Sequence, residues 1–452
     1  MRSPMFSYDE AMADIILAYC RQRLRLDPVP LDGTGDMGEL RTVLDGLLGE
    51  MGNDPAKVLE LFSERLATAV ISCDSPRFLS FIPAAPTKAA LLFDMVVSCS
   101  SLQGTSWLEA AGAVAAENQV LRLLADLAGL PAEAGGCFVS GGSAGNLSAL
   151  VVARETGLRR LGDRAPARVR VAVSEDAHSS VGKALWVVGI DPLVVPTVDH
   201  RLTGEALAAA LDDDAHPDTV VGVVATAGTT NAGMIDDLES VGEVAERRSL
   251  WFHVDAAYGG AGLFSSLLGD RLAGMRRVDS FVVDPHKWLF APFDCAALLY
   301  REPWRAKAVH AQDAAYLDAI HGDEDEWNPS DYAYHLTRRA RGLPLWFSLA
   351  VHGTRAYRDA VDAGLRAAWD AADRIRRTPH VELVRQPELS IVLFRRPGWT
   401  DKDYDAWSAA LLAAQTGFVT PTRWENETVA RFAFLHPDTT PAMVEEILAT
   451  MA

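Results

Sequence analysis

Six short apolar runs, Gly136–Val139, Val169–Ser174, Val220–Thr226, Leu250–Val254, Ser280–Val283 and Ala296–Tyr300, recur through the middle of this 452-residue chain, each separated from the next by helical or loop sequence. Runs this uniformly apolar need cover on both faces, and the helices between them supply both the cover and the crossovers of a parallel sheet. The predicted fold class is therefore α/β, with a mostly parallel sheet in one large domain. Ligands of such sheets bind outside the carboxyl ends of the strands. The polar residues just past each run are thus the candidates for chemistry.

The flanks read differently. Met12, Ile15, Ile16 and Tyr19 share one helical face, and Asp54-Pro55 reads as an N-cap followed by proline at the first helical position. This N-terminal segment lacks a sheet or a closed core of its own, so it is expected to pack on the main body or on a second copy of the chain. Pro76, Pro83 and Pro86 mark an irregular connection. After Gly342-Leu-Pro344 comes a long helix from about Trp346 to Arg377, strands near Leu389–Phe394 and Val429–Leu435, and a last helix capped by Thr440-Pro441. The expected division is an N-terminal helical segment over residues 1–87, a large domain over 88–345 and a small C-terminal α+β domain over 346–452.

With 42 basic against 61 acidic residues, the net charge of −19 repels phosphate backbones and anionic lipid, which argues against nucleic-acid and membrane-surface partners. The five cysteines, Cys20, Cys73, Cys99, Cys137 and Cys295, are scattered and form no C-x-x-C pair. Neither a disulfide framework nor a metal site is expected. Asp9, Glu10 and Asp14 interrupt the stretch where a signal peptide needs an apolar core, and no uncharged run is long enough to span a bilayer. A cytoplasmic, unexported protein is the expectation.

Lys287 follows the run Ser280–Val283 within Asp284-Pro-His-Lys-Trp288. A lysine whose stem lies among apolar neighbours at a strand end favours the free, nucleophilic amine, which can hold an aldehyde. Thirty-two residues upstream, Leu250–Val254 leads into Asp255. Pyridoxal 5′-phosphate needs this pair: a lysine for its aldehyde and a carboxylate for its pyridinium nitrogen, which keeps the ring an electron sink. Either residue alone is equally a surface lysine or a helix cap; the set carries the argument.

Ser140-Gly-Gly-Ser-Ala-Gly-Asn146 follows a strand and opens a helix, so its glycines and free N–H groups suit a phosphate, helped by the Ser143 hydroxyl. The same residues spell G-x-S-x-G, and the order Ser143, Asp255, His286 mimics a hydrolase triad. Against that rival, there is no His-Gly-Gly-Gly segment upstream, Lys287 follows the histidine at once, and a further domain follows the supposed triad. His178, past another strand, suits stacking on a flat ring or relaying a proton, and Thr226-Ala-Gly-Thr-Thr-Asn231 is a further polar turn.

Together, Ser140 to Asn146, Asp176-Ala-His178, Ala225 to Thr230, His253-Val-Asp-Ala-Ala-Tyr258 and Asp284-Pro-His-Lys-Trp288 resemble the group II pyridoxal phosphate-dependent amino acid decarboxylases, the family of aromatic amino acid decarboxylase. The resemblance implies a fold-type I transferase architecture and a homodimer with active sites at the interface. It implies Lys287 as the cofactor lysine, Asp255 as the pyridine-nitrogen partner and His178 as the imidazole stacked on the ring. Ser143 with the Gly142 and Ala144 backbone becomes the phosphate cup, Thr230 and His286 lie near the cofactor, and Ala257 packs under the ring. Asp284 departs from the family's commonest residue there, an asparagine close to the phosphate.

The implied reaction is loss of carbon dioxide from an L-amino acid followed by reprotonation to the amine. In the animal and plant members a loop tyrosine is thought to give that proton, and a change there can divert the reaction to an aldehyde. Aligned on Arg338-Arg-Ala-Arg341, the loop His321–Tyr332 puts Pro329 at the tyrosine position. Tyr332, Tyr334, His335 and His178 are the remaining candidates, with Tyr332 or His178 the donor expected here. Phe81, Ile82 and Trp107 suggest a pocket for an aromatic or other apolar side chain. The alternatives are an aldehyde-forming enzyme, a serine hydrolase using Ser143, and an inactive scaffold that keeps the cofactor fold.

Overall fold

The computed structural model describes residues 4–312 and 326–452. Its larger sheet has the order β1-β7-β6-β5-β4-β2-β3, from β1 (Gly135–Val139), β2 (Arg170–Ser174), β3 (Asp191–Val195), β4 (Val220–Thr226), β5 (Trp251–Asp255), β6 (Ser280–Val283) and β7 (Ala296–Tyr300). Only β7 runs against the others, because a short turn after Lys287 returns the chain directly alongside β6 instead of through a crossover helix. The remaining strands are parallel, so all their carboxyl ends share one edge. The amino end of β7 arrives at that edge too, which brings Phe293 and Asp294 there.

The six predicted runs match strands to within a residue at each end; β3 is the one they missed. Pro192 sits inside β3, and a proline argues against a strand unless the strand is at an edge. β3 is such an edge.

The helix Leu343–Arg377 carries the chain to a second, four-stranded antiparallel sheet of order β10-β11-β9-β8, from β8 (Glu382–Leu383), β9 (Ile391–Arg395), β10 (Pro421–Trp424) and β11 (Glu427–Ala433). That helix is broken at Gly353, whose φ of 75° lies where side chains are strained. Before the break it packs on the helix Lys88–Cys99, with Phe93 stacked on Phe347. After it, Ala368, Ala371, Ala372 and Ile375 join the core of the smaller sheet.

The N-terminal helices Glu10–Leu24, Met37–Leu44 and Pro55–Leu61 contain no buried residue. Asp54 caps the third as its sequence predicts, accepting from the Ala56 N–H with Pro55 in the first turn. Met12, Ile16, Leu17, Met37, Leu44, Val58 and Phe62 stay exposed among the described residues, an apolar surface in which Phe62 meets Tyr19 edge-on.

The arginine-rich segment is a buried anchor. Arg338 donates to both carboxylate oxygens of Glu117 on the helix Trp107–Leu127 and to the carbonyls of Phe138 and Gly104, while Glu117 also accepts from the Gly342 N–H. Arg339 pairs with Asp94 and Arg341 with Asp294. Removing one member of a buried pair strands the other charge. Arg338→Met is therefore expected to lower unfolding free energy by about 3–5 kcal/mol in urea titrations, and Glu117→Leu added to it is expected to restore part of the loss.

Candidate active site

At the shared strand edge lies a cavity of ≈ 280 Å³. Its lining unites Ser143, His178, Thr230, Asp255, Ala257, Asp284, His286 and Lys287, residues far apart in sequence that all follow strand ends. Gly142 also contributes, together with Thr226, Tyr258, Phe293 and Asp294.

Lys287 is in the second turn position after β6, with Nζ 3.0 Å from Asp284 Oδ2. The sequence reading favours a free amine; the structure instead gives the amine a carboxylate partner, so the departure to Asp284 acts directly on Lys287. Asp284 is 2 % exposed, and its Oδ1 has no hydrogen-bond partner among the described residues. His286 Nε2 lies 3.7 Å from Asp284 Oδ2, and His286 Nδ1 is held 2.7 Å from the Cys295 carbonyl oxygen. Burial pushes the His286 ring below the usual imidazole range.

Asp255 is fixed at both oxygens: Oδ1 accepts from the Ala257 N–H at 3.1 Å and Oδ2 from the Asn146 amide at 2.9 Å. Neither Asp255 nor His286 is aligned with Ser143 in a relay, so the hydrolase triad is not assembled. The carboxylate that should orient the imidazole is committed elsewhere.

His178 caps the helix Ser179–Val188, its Nδ1 accepting from the Ser180 N–H at 3.1 Å and lying 2.8 Å from Ser180 Oγ. Its ring is otherwise exposed to the cavity.

The turn before the helix Gly142–Leu161 refines the expected phosphate cup. The N–H groups of Ala144 and Gly145 are already satisfied by the Gly141 carbonyl, so Ala144 drops out as a donor and the first-turn N–H groups of Gly142 and Ser143 remain. A Cβ built on Gly142 would lie 3.0 Å from the Ala257 Cβ and 3.1 Å from Asp284 Oδ2, so a side chain there would crowd the cavity floor. Thr226 and Asp284 belong to the same lining and each keeps one buried oxygen, Oγ1 and Oδ1, unpartnered among the described residues; with the free N–H groups, this lining fits a compact polar ring bearing an anionic group.

Other expected residues lie elsewhere. Ile82 is 5 % exposed and belongs to the main core, so it is not a pocket residue. Trp107 begins the helix Trp107–Leu127, its N–H bonded to Asn328 Oδ1, and does not line the cavity. Phe81 is exposed, and its carbonyl accepts from Arg431, which also donates to the Thr230 carbonyl. Arg431 thus clamps the Phe81 turn beside the cavity rim. Tyr332 is 4 % exposed and stacked on Trp327, and it does not line the cavity. The expected proton donor Tyr332 is thus packed, within one protomer, into an apolar cluster and away from this cavity. Tyr334 and His335 are likewise absent from the lining, and residues 321–325 of the expected loop fall outside the described residues.

Sequence reading missed Asn146, Ser180, His253 and Arg431. The first three lie in or at the start of regular elements, where a polar residue carries no distinguishing signal; Arg431 is a lone cation within a strand.

Residues 38–396 match the family profile described as the pyridoxal-dependent decarboxylase conserved domain. An aromatic-L-amino-acid decarboxylase of Bacillus atrophaeus is 32% identical over 372 residues, 81% of this chain and 77% of that protein. An L-2,4-diaminobutyrate decarboxylase of Rhizobium meliloti (strain 1021) is 32% identical over 444 residues, covering 94% and 83%. Among solved structures, Oryza sativa TDC with PLP and tryptamine superposes with a TM-score of 0.90 at 25% identity, over 100% of this chain and 99% of that one.

Burial of His253 generates a test of the site's wall. Desolvation lowers its pKa from 6.5 to about 4. As pH falls from 6.5 towards 4 the unfolded chain takes up a proton that the folded chain refuses, so stability drops across that window, by on the order of 3 kcal/mol in full, and levels off below it. Urea midpoints measured along this pH range are expected to fall less steeply in His253→Gln than in the parent.

Proposed function

Because this chain belongs to the pyridoxal-dependent decarboxylase family, and is thus a lyase that removes carbon dioxide from an amino acid with pyridoxal 5′-phosphate as cofactor, we propose that its substrate is an L-amino acid with an aromatic or other apolar side chain. The observation that carries the finer reading is the state of the three carboxylates in the cavity. Asp255 is bonded to Asn146 and Ala257, Asp284 is paired with Lys287, and Asp294 with Arg341. A cationic side chain, as in a diamino acid, finds Asp255 and Asp294 already engaged and Asp284 facing Lys287, with only its buried Oδ1 unpartnered among the described residues. Phe293 offers an aromatic face within the lining, and the exposed Phe81 is tied through its carbonyl and Arg431 to the lining residue Thr230. The relatives that act on aromatic amino acids point the same way.

Lys287 is the residue to which the cofactor aldehyde attaches, Asp255 the partner of the ring nitrogen, and Ser143 with the Gly142 and Ser143 N–H groups the phosphate cup. Thr230, Ala257, Asp284 and His286 complete the cofactor's surroundings. When bound, the cofactor supplies an electron sink for the pair of electrons left by the departing carboxylate. Asp255 serves that chemistry as a buried carboxyl group, each oxygen of which is held in direction by one donor. Lys287 is drawn towards Asp284, which keeps its amine at the cavity floor. His178, with Nδ1 committed as an acceptor from the Ser180 N–H, carries the proton of its neutral ring on Nε2. We assign to that Nε2 the proton delivered to the substrate carbon, since Tyr332 is packed away from the cavity.

Two copies of the chain complete the enzyme in this reading. Support comes from the exposed apolar side chains of the N-terminal helices, which the described residues of one protomer leave uncovered. The cytoplasm suits a chain whose five cysteines are all unpaired. No helix among the described residues is long and apolar enough to cross a membrane.

The test is direct. Protein loaded with pyridoxal 5′-phosphate is expected to be yellow, to bleach with borohydride and to carry the reduced adduct on Lys287; Lys287→Ala is expected to lose adduct and turnover together. Offered a pool of L-amino acids, the enzyme is expected to release carbon dioxide and one aromatic or apolar amine. Aldehyde with peroxide would make it an aldehyde-forming enzyme, and preferential use of a diamino acid would overturn the substrate reading. Phe81→Ala is expected to raise KM about tenfold, the size of one lost aromatic contact, with a smaller effect on kcat.

A further inference from the structure

Behind the cavity wall runs a chain of hydrogen bonds between side chains that are almost wholly buried. The Trp251 indole N–H donates to Ser280 Oγ at 2.8 Å, Ser280 Oγ lies 2.9 Å from His253 Nδ1, and His253 Nε2 lies 2.9 Å from Asn146 Oδ1. At Asn146 the chain forks. Its Nδ2 donates to Asp255 Oδ2 at 2.9 Å and to Ser180 Oγ at 3.2 Å, and Ser180 Oγ in turn lies 2.8 Å from His178 Nδ1. Asn146 and Ser280 are 0 % exposed and His253 1 %.

With Asp255 as a carboxylate, the donors follow in turn. A carboxylate only accepts, so the Asn146 amide must turn its NH₂ towards Asp255 and its oxygen towards His253. His253 then has to be protonated on Nε2, which leaves Nδ1 to accept from the Ser280 hydroxyl; Ser280 accepts in turn from Trp251, which can only donate. On the other branch the second amide hydrogen occupies Ser180 Oγ, and the Ser180 hydroxyl hydrogen goes to His178 Nδ1. That nitrogen already receives the Ser180 N–H, so the His178 ring proton belongs on Nε2. Burial keeps His253 neutral down to about pH 4, as this arrangement requires.

We propose that Asn146 is a positioning residue of this reaction: its amide fixes the carboxylate of Asp255, while His253 sets the direction of that amide. The inference rests on the part given above to Asp255. It goes beyond it in tying the electron sink's counter-charge to one buried amide whose orientation is set from behind by His253. If the amide is lost, Asp255 Oδ2 loses its donor and the carboxylate can rotate, while the His178 tautomer stays held by the Ser180 N–H.

The experiment uses the full chain with ring-¹⁵N-labelled histidine, before and after loading with pyridoxal 5′-phosphate. Ring ¹⁵N shifts report the tautomers of His178 and His253, fluorescence quenching reports the dissociation constant of pyridoxal 5′-phosphate, and urea midpoints report folding. In the parent, both histidines are expected as the Nε2–H form before any cofactor is added. Asn146→Ala is expected to remove the single tautomer at His253, to leave His178 in the Nε2–H form and to weaken cofactor binding about tenfold, the loss expected for a hydrogen bond to a charged group. Asn146→Ser, whose side chain is too short to bridge His253 and Asp255, carries the same expectation and the test if Asn146→Ala does not fold. An unchanged dissociation constant in the folded variant would overturn the proposal, as would a parent His253 that is not in the Nε2–H form. Failure of the underlying reading looks different: parent protein that forms no borohydride-reducible adduct on Lys287, whatever its histidine tautomers.

Discussion

The parallel ladder through β4, β5 and β6 is the constraint on which the site depends. It pairs Thr226 with Asp255 and Asp255 with Val282, so three strands end at one level and their following residues must share one space. Backbone hydrogen bonds of this kind cannot slip by one residue without turning each buried face outward. The lysine four residues past β6 and the carboxylate ending β5 therefore meet through sheet register, with no direct bond between them. The antiparallel return of β7 adds Phe293 and Asp294 to the same edge, which a helix crossover would have carried to the far side.

The buried strands were legible because burial on both faces writes itself as an uninterrupted apolar run. β3, β8 and β10 were not, and all three are edges of their sheets. An edge strand has one ladder and a wet side, so it tolerates Pro192 and Pro421, the residues that most strongly argue against a strand when read alone. The same physics divides the site. Lys287, Asp255 and His178 are polar groups that abruptly follow apolar runs, and such a break is visible in one dimension. Asn146 lies inside the first turns of a helix and His253 inside a strand, where hydrogen-bonding capacity serves the element and the site equally. Only coordinates tell which. Phe81 and Ile82 are adjacent and equally apolar, yet one is exposed at the rim and the other is core; alternation along an irregular connection has no period from which to read the difference.

The smaller sheet is part of the cavity's construction. Tyr258, three residues beyond Asp255, places its hydroxyl against Ser390, which also donates its N–H to that oxygen. Arg431 of β11 joins the carbonyls of Phe81 and Thr230, Asn231 is bonded to Thr422 and to the Arg423 carbonyl, and Glu388 receives Arg201. Apart from the Phe81 turn, each of these contacts ends on a loop that leaves the carboxyl edge of the large sheet. Arg431 is buried and bonded to carbonyls, with its pKa lowered by desolvation to about 10. A cation so placed is costly unless each N–H finds an oxygen, and the oxygens it finds are those of the rim loops. The loops are consequently fixed by the demands of a buried charge as well as by their own turns. A substrate entering beside Phe81 meets a rim already set, with its ordering cost met when the two sheets pack together.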